Sequence, residues 1–141
     1  MQKIHFYSLD RVPVLKNRRK LKLYIESLFA KEKEKLVKLS YIFCSDDHLL
    51  GINNEFLKHN FYTDVITFDL SLNNKGIEGE IYISIDRIKD NAKQASVSFT
   101  EELHRIIFHG ALHLCGYNDK KKAEVLLMRS MEEKHLKLYF K

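Results

Sequence analysis

Apolar residues recur along the chain at two different spacings. Alternating runs rich in β-branched and aromatic residues predict strands at 4–8, 37–44, 65–70 and 80–85. Apolar positions three or four residues apart predict helices over about 16–33, 47–56, 86–95 and 119–138, and another between Ser98 and Gly116. This order of about four strands and about five helices predicts an α/β (α+β) domain, with a mixed sheet packed against helices.

Several residues mark where these elements begin and end. Ser45 is placed to cap the second helix, and Ser98 with Glu101 has the spacing of a capping box. Gly116 stands where a left-handed residue commonly ends a helix. A turn is predicted over 71–76.

The bulk composition indicates a soluble globular protein. With 141 residues, 45% hydrophobic and 30% charged, the chain fits a single domain, 1–141, that can bury a real core. It has no apolar run of membrane-spanning length, and residues 1–20 lack the apolar segment of a signal peptide. With only two cysteines, a disulfide framework is not expected. We therefore expect a cytoplasmic protein without membrane association.

The charge is mildly basic, with a formal net charge of +5. Basic residues cluster over 16–22 and 120–122. A charge of this size permits a polyanionic partner such as RNA but does not demonstrate one, and a solvated helix face is the better explanation of each cluster taken alone.

The candidate chemistry lies between residues 109 and 119. His109 and His113 stand four positions apart, so that a helix would place both imidazoles on one face. The turn expected at Gly116 would bring Asp119 back towards them. Two imidazoles and a carboxylate with an open fourth position form the kind of site that a catalytic zinc needs.

Other interpretations of this stretch stay open on spacing alone. Paired histidines are also found simply packed in cores, and Asp119 stands where an N-cap of the last helix belongs. A zincin peptidase is disfavoured, because Gly110 occupies the position of its catalytic glutamate. We expect that glycine to leave space above the metal for a bulky substrate.

Three blocks of sequence together resemble one known family. The stretch His-Gly-Ala-Leu-His-Leu-Cys-Gly-Tyr at 109–117 resembles the signature of the YbeY-type endoribonucleases, the bacterial rRNA maturation factors. Ile52, Asn53 and Phe56, followed by Thr-Asp-Val at 63–65 and Phe68, resemble the upstream motif of that family. Gly-Glu-Ile at 79–81 and Met-Glu at 131–132 also fit it.

The resemblance implies a fold, an activity and partners. It implies a mixed α/β domain with one zinc ion per chain, and no small-molecule cofactor beyond the metal. The implied activity is hydrolytic cleavage of single-stranded RNA, in maturation of the 3′ end of small-subunit (16S) rRNA and in ribosome quality control. The implied partners are rRNA and the small ribosomal subunit. The two histidines of the family motif carry over onto His109 and His113.

The chain departs from the family pattern at two positions. Where the family usually has a third histidine, this chain has Asp119, which we expect to be a carboxylate ligand and part of the catalytic site with His109 and His113. Where the family usually has an arginine thought to act near the scissile phosphate, this chain has Leu57. Leucine cannot donate to phosphate, so we expect Lys58 or His59 to bind the substrate instead.

The remaining alternatives concern substrate and metal. The chain can also be interpreted as a metal-stabilised RNA- or ribosome-binding assembly factor with little hydrolysis of its own, or as a metal-dependent hydrolase of another substrate such as a peptide.

Phe61, Tyr62 and Tyr117 are candidate stacking platforms for RNA bases, although buried aromatic residues are commoner. The ligand set does not separate zinc from nickel or iron, and no general base is identifiable.

Overall fold

A computed structural model describes residues 2–72 and 75–141. Within them, the strands are β1 (Ile4–Ser8), β2 (Leu36–Cys44), β3 (Val65–Asp69) and β4 (Ile77–Ser84). The helices are α1 (Arg18–Lys31), α2 (Asp46–Leu57), α3 (Ile85–Ala95), α4 (Phe99–Leu114) and α5 (Lys122–Tyr139). The predicted α+β architecture of about four strands and five helices is confirmed.

The strands form one mixed sheet in the order β1-β2-β4-β3. The pairs β1–β2 and β2–β4 are parallel, whereas β3 runs antiparallel to β4. Helix α1 makes the crossover that parallel pairing of β1 with β2 requires. Among the described residues, strand β3 lies at the edge of the sheet beside β4, and its residues border a cleft.

Helix α4 is the central helix of the core. Eleven of its sixteen residues are buried, because apolar side chains occupy most of its circumference. It packs against α3, α5, α1 and the sheet. The main core therefore holds α4 in a fixed position, and any functional side chain on α4 is held with it.

The predicted element boundaries agree with the structure to within about two residues, except at the starts of one helix and one strand. Helix α5 begins at Lys122, three residues after the predicted start at 119, because Lys121 is its N-cap. Strand β4 begins at Ile77, three residues before the predicted start, because Ile77 pairs with Leu36 at the beginning of β2. Asn73 and Asn74, within the predicted turn at 71–76, lie outside the described residues. Across the described ranges, no helix combines the length and apolar character needed to cross a membrane.

Candidate metal centre

Two histidine side chains are presented together by the last two turns of α4. His109 and His113 have ring centroids 4.8 Å apart and ring planes at 86° to each other. The start of α4 is fixed by Ser98, whose hydroxyl accepts a hydrogen bond from the backbone N–H of Glu101 at 3.0 Å. The predicted cap at Ser98 is thus confirmed, and the helical spacing brings both imidazoles to one face.

The chain reverses direction directly after α4 through a Schellman motif. Gly116 has a φ of +104° and donates its N–H to the carbonyl of His113 at 3.0 Å. Tyr117 donates its N–H to the carbonyl of Leu112 at 3.1 Å. These are the two hydrogen bonds that define the motif. The left-handed end predicted at Gly116 is confirmed, and the reversal carries Asp119 back to the histidine face.

Asp119 meets both histidines at the spacing of metal ligands. Its Oδ2 lies 3.4 Å from His109 Nε2 and 3.3 Å from His113 Nε2, and the three donor atoms lie within 4.8 Å of one another. Ligands bound at about 2.0–2.1 Å in a tetrahedron are roughly 3.3–3.4 Å apart. The donor set and its spacing therefore fit a divalent metal ion with one open position.

Asp119 is not the N-cap of the last helix in the structure. The N-cap of α5 is Lys121, two residues further along, and its backbone N–H donates to the Glu124 carboxylate at 2.9 Å. The Asp119 carboxylate is left to face the imidazoles.

Glu132 on α5 fixes the orientation of His109. Its Oε2 lies 2.7 Å from His109 Nδ1, and the glutamate is 5% exposed. Because Nδ1–H donates to this carboxylate, Nε2 keeps a lone pair directed towards Asp119 and His113. Burial disfavours a charged His109, but the Glu132 hydrogen bond and the nearby carboxylates outweigh it, so that the pKa of His109 is raised.

An ion-pair network around Arg105 anchors Glu132 in turn. The buried Arg105 guanidinium pairs with Glu102 at 3.3 Å and with Glu133, and lies 3.7 Å from Glu132. Arg129 also pairs with Glu132, at 3.4 Å. These charges hold α4 and α5 together behind the histidines. The sequence placed Glu132 in a family motif but gave no sign of this role.

The three donors lie in a cleft of about 1000 Å³ beside strand β3. Asp64, just before β3, lines the same cleft and accepts a hydrogen bond from Asn91 Nδ2 at 3.2 Å. Burial raises the pKa of the Asp64 carboxyl, although the nearby His109 opposes the shift. The sequence singled out Thr63-Asp64 as part of a motif, but only the fold places Asp64 beside the histidines.

The two residues predicted to bind substrate are placed differently. His59 lines the cleft, as does Leu57. Lys58 does not belong to the lining; it is exposed and ends α2 in a left-handed conformation with φ +59°. The cations Lys120 and Arg129 line the cleft as well, and sequence reasoning did not assign them to it.

The three candidate stacking residues lie in different surroundings. Phe61 lines the cleft and is 56% exposed. The hydroxyl of Tyr62 donates to Asp47 at 3.1 Å, and that of the half-buried Tyr117 donates to Glu32 at 2.9 Å. Of these three described residues, Phe61 is the one that lines the cleft holding the candidate metal ligands.

The expectation for Gly110 is wrong. A Cβ atom at this position would lie 2.7 Å from Ile81 Cδ1, so Gly110 faces the sheet rather than the space above the histidines. The glycine lets α4 approach β4 closely. Its role is packing, and no room for substrate is gained from it.

Comparison with known proteins gives consistent matches. A family model described as Endoribonuclease YbeY matches residues 9–139. The Endoribonuclease YbeY of Cytophaga hutchinsonii is 45% identical over 135 residues, which cover 96% of this chain and 94% of that protein. The protein of the same name from Flavobacterium psychrophilum is 48% identical over 116 residues, 82% of each. A solution structure of a Thermotoga maritima protein aligns with a TM-score of 0.67 at 26% identity, covering 97% of this chain and 89% of that one.

Proposed function

This chain belongs to the Endoribonuclease YbeY family, and from that premise we propose that it is a metal-dependent endoribonuclease acting on single-stranded RNA. The observation that carries the proposal is the spacing of 3.3–3.4 Å from Asp119 Oδ2 to the two imidazole nitrogens. Family membership supplies the reaction class, and the donor set supplies a means of performing it.

Different residues of the cleft have different roles in the proposed hydrolysis. His109, His113 and Asp119 would hold the metal, which when bound supplies Lewis acidity towards a water molecule or a phosphate oxygen. Glu132 keeps His109 in the tautomer that a ligand needs. Lys120 and Arg129 hold the RNA backbone by charge. The raised pKa of Asp64 brings this carboxyl closer to the neutral range that a general acid or base requires.

The finer parts of the proposal rest on the family resemblance and on the donor types. We propose zinc, one ion per chain, because two histidines and one carboxylate occur in catalytic zinc sites. The proposed substrate is the 3′ region of 16S rRNA, with the small ribosomal subunit as partner, in rRNA maturation and ribosome quality control. The net charge of +5 is compatible with such a polyanion. A single domain over 1–141 and a cytoplasmic location complete the proposal.

A cleavage assay tests the proposal. Purified protein loaded with zinc should cut single-stranded rRNA fragments, and elemental analysis should find close to one metal ion per chain. His113→Ala should reduce cutting by at least about a hundredfold, because it removes a ligand. His48→Ala, at an exposed histidine on α2, is the matched control and should cut normally. Equal activity in all three proteins would refute the nuclease assignment.

One observation favours a second function, that of an assembly factor with little hydrolysis of its own. Leu57 stands in the cleft lining, where the family resemblance leads one to expect an arginine near the phosphate. In that case zinc-loaded protein would bind rRNA and leave it uncut, and His113→Ala would bind it equally well.

A further inference from the structure

Two aromatic rings are stacked and left exposed at the rim of the cleft. His59 and Phe61 have ring centroids 5.1 Å apart and planes at 20° to each other. Both line the cleft that holds the metal ligands, and Phe61 is 56% exposed. Both residues are exposed, so an aromatic ligand can reach the pair from solvent. We propose that the His59–Phe61 pair is a stacking platform for one unpaired nucleobase of the RNA substrate, a proposal that rests on the proposed function.

The platform is held in place by a buried side chain. Asn53, 2% exposed on α2, donates its Nδ2–H to the carbonyl of Phe61 at 2.9 Å. The backbone carbonyl of Asn53 accepts the backbone N–H of His59 at 3.1 Å, so a single residue fixes both members of the pair. The left-handed turn at Lys58 directs the chain into this arrangement. A platform fixed in advance costs little ordering entropy when a ligand stacks on it.

The surroundings favour a nucleobase over other aromatic ligands. Lys120 lines the same cleft and supplies positive charge for a phosphate next to a stacked base, and Arg129, which pairs with Glu132, lines it as well. Every base has a π-face, so stacking tolerates any sequence. In a duplex both faces of a base are covered by its neighbours, and only an unpaired base can occupy the platform. The pair thereby accounts for a preference for single strands that the metal ligands alone do not give.

Binding of a short single-stranded RNA to metal-free, full-length protein tests the platform without turnover. Phe61→Ala should weaken binding by about fivefold or more, since one base stack contributes about 1–3 kcal/mol. Phe61→Tyr should bind within about twofold of wild type. The matched control is Tyr7→Ala, which removes a similar exposed ring stacked on His5, at 6.2 Å and 16°, on strand β1 and outside the cleft lining. If Phe61→Ala and Tyr7→Ala both bind as wild type does, the platform is refuted.

A fluorescent variant gives a second measurement. The chain has no tryptophan, so Phe61→Trp introduces a single reporter at the platform. Single-stranded RNA should quench it and a matched duplex should not; equal quenching by the two would overturn the proposal, as would quenching by an aromatic peptide at the same concentration. If zinc-loaded wild type failed to cut RNA, the nuclease assignment would be refuted and the stacking platform would not. RNA binding and tryptophan quenching are both measured without cleavage.

Discussion

Glu132 connects the candidate metal ligands to the rest of the fold. It contacts His109 across 23 positions of sequence, from a different helix, at 2.7 Å. We expect Glu132→Gln to weaken metal binding by about 10- to 100-fold, because the carboxylate that orients the ligand and raises its basicity is lost. Competition with a chromophoric chelator at neutral pH would measure the change.

The neighbouring glutamate provides the control for that variant. Glu133 pairs with Arg105 and is absent from the contacts of His109, so Glu133→Gln should leave metal affinity within about threefold of wild type. Equal losses in the two variants would mean that the network acts only by general stabilisation of α4 against α5.

At the scale of single residues, the local sequence pattern predicts the candidate metal ligands. It does not predict the residues from other elements that contact or surround them. His109, His113, Gly116 and Asp119 fall within one helix and one turn, so spacing alone could place them together. Glu132 and Asp64 reach the same cleft only through tertiary packing, which leaves no periodic trace in the sequence.

At the scale of elements, the approach of α4 to β4 depends on the absence of a side chain at Gly110. We expect Gly110→Glu to lower the free energy of unfolding by about 2–4 kcal/mol, because a carboxylate would be forced against the buried Ile81. It should not create peptidase activity, since the new side chain starts towards the sheet. Urea denaturation and a peptide hydrolysis assay would check both statements.

A second helical glycine is the matched control. A Cβ atom at Gly51, exposed on α2, would meet no atom within 4 Å. Gly51→Glu should therefore be neutral or stabilising by up to about 1 kcal/mol, through helix propensity. Similar destabilisation at both positions would contradict the packing role of Gly110.

The contact between Gly110 and Ile81 also explains why the sequence alone does not predict the role of this glycine. At the position of the zincin glutamate, a glycine predicts free space beside the metal. Which side of α4 faces the sheet depends on the register of Ile81 in β4, and the sequence around residue 110 carries no information about it. Capping signals, by contrast, are local, and Ser45 and Ser98 were both placed correctly.

At the scale of the whole molecule, buried histidines should make stability depend on pH. Burial, aided by Lys134 and Lys31, lowers the pKa of His135 to about 4, well below the ordinary value for histidine of about 6.5. The unfolded chain then binds the proton more readily, so stability is fully present above about 6.5 and is lost as the pH falls towards 4. The shift corresponds to at most about 3 kcal/mol.

Chemical denaturation of the metal-free protein between neutral and mildly acidic pH would show this loss. His135→Asn keeps an acceptor near the Tyr24 hydroxyl, which lies 2.6 Å from His135 Nδ1, and should flatten the slope. An unchanged slope in the variant would assign the pH dependence to other groups. His104, whose pKa is also lowered by burial, acts in the same direction, whereas the raised pKa of His109 acts in the opposite one.

The overall architecture was only partly predictable. The alternation of strand and helix patterns indicated an α+β domain, because two periodicities are enough to assign fold class. The strand order β1-β2-β4-β3, and hence the free edge of β3 beside the cleft, depends on pairing between distant segments. That edge brings Asp64 and the loop carrying His59 to the histidine helix.

The turn after α4 has a consequence for chain entropy. The three donor atoms come from residues 109, 113 and 119, so a metal ion would close only two short loops, one of them already helical. Closure of such short segments removes little conformational freedom beyond what the helix and its Schellman end have already removed. Ordering the polypeptide would then cost little of the free energy gained by metal coordination. Most of that free energy would appear as affinity for the ion.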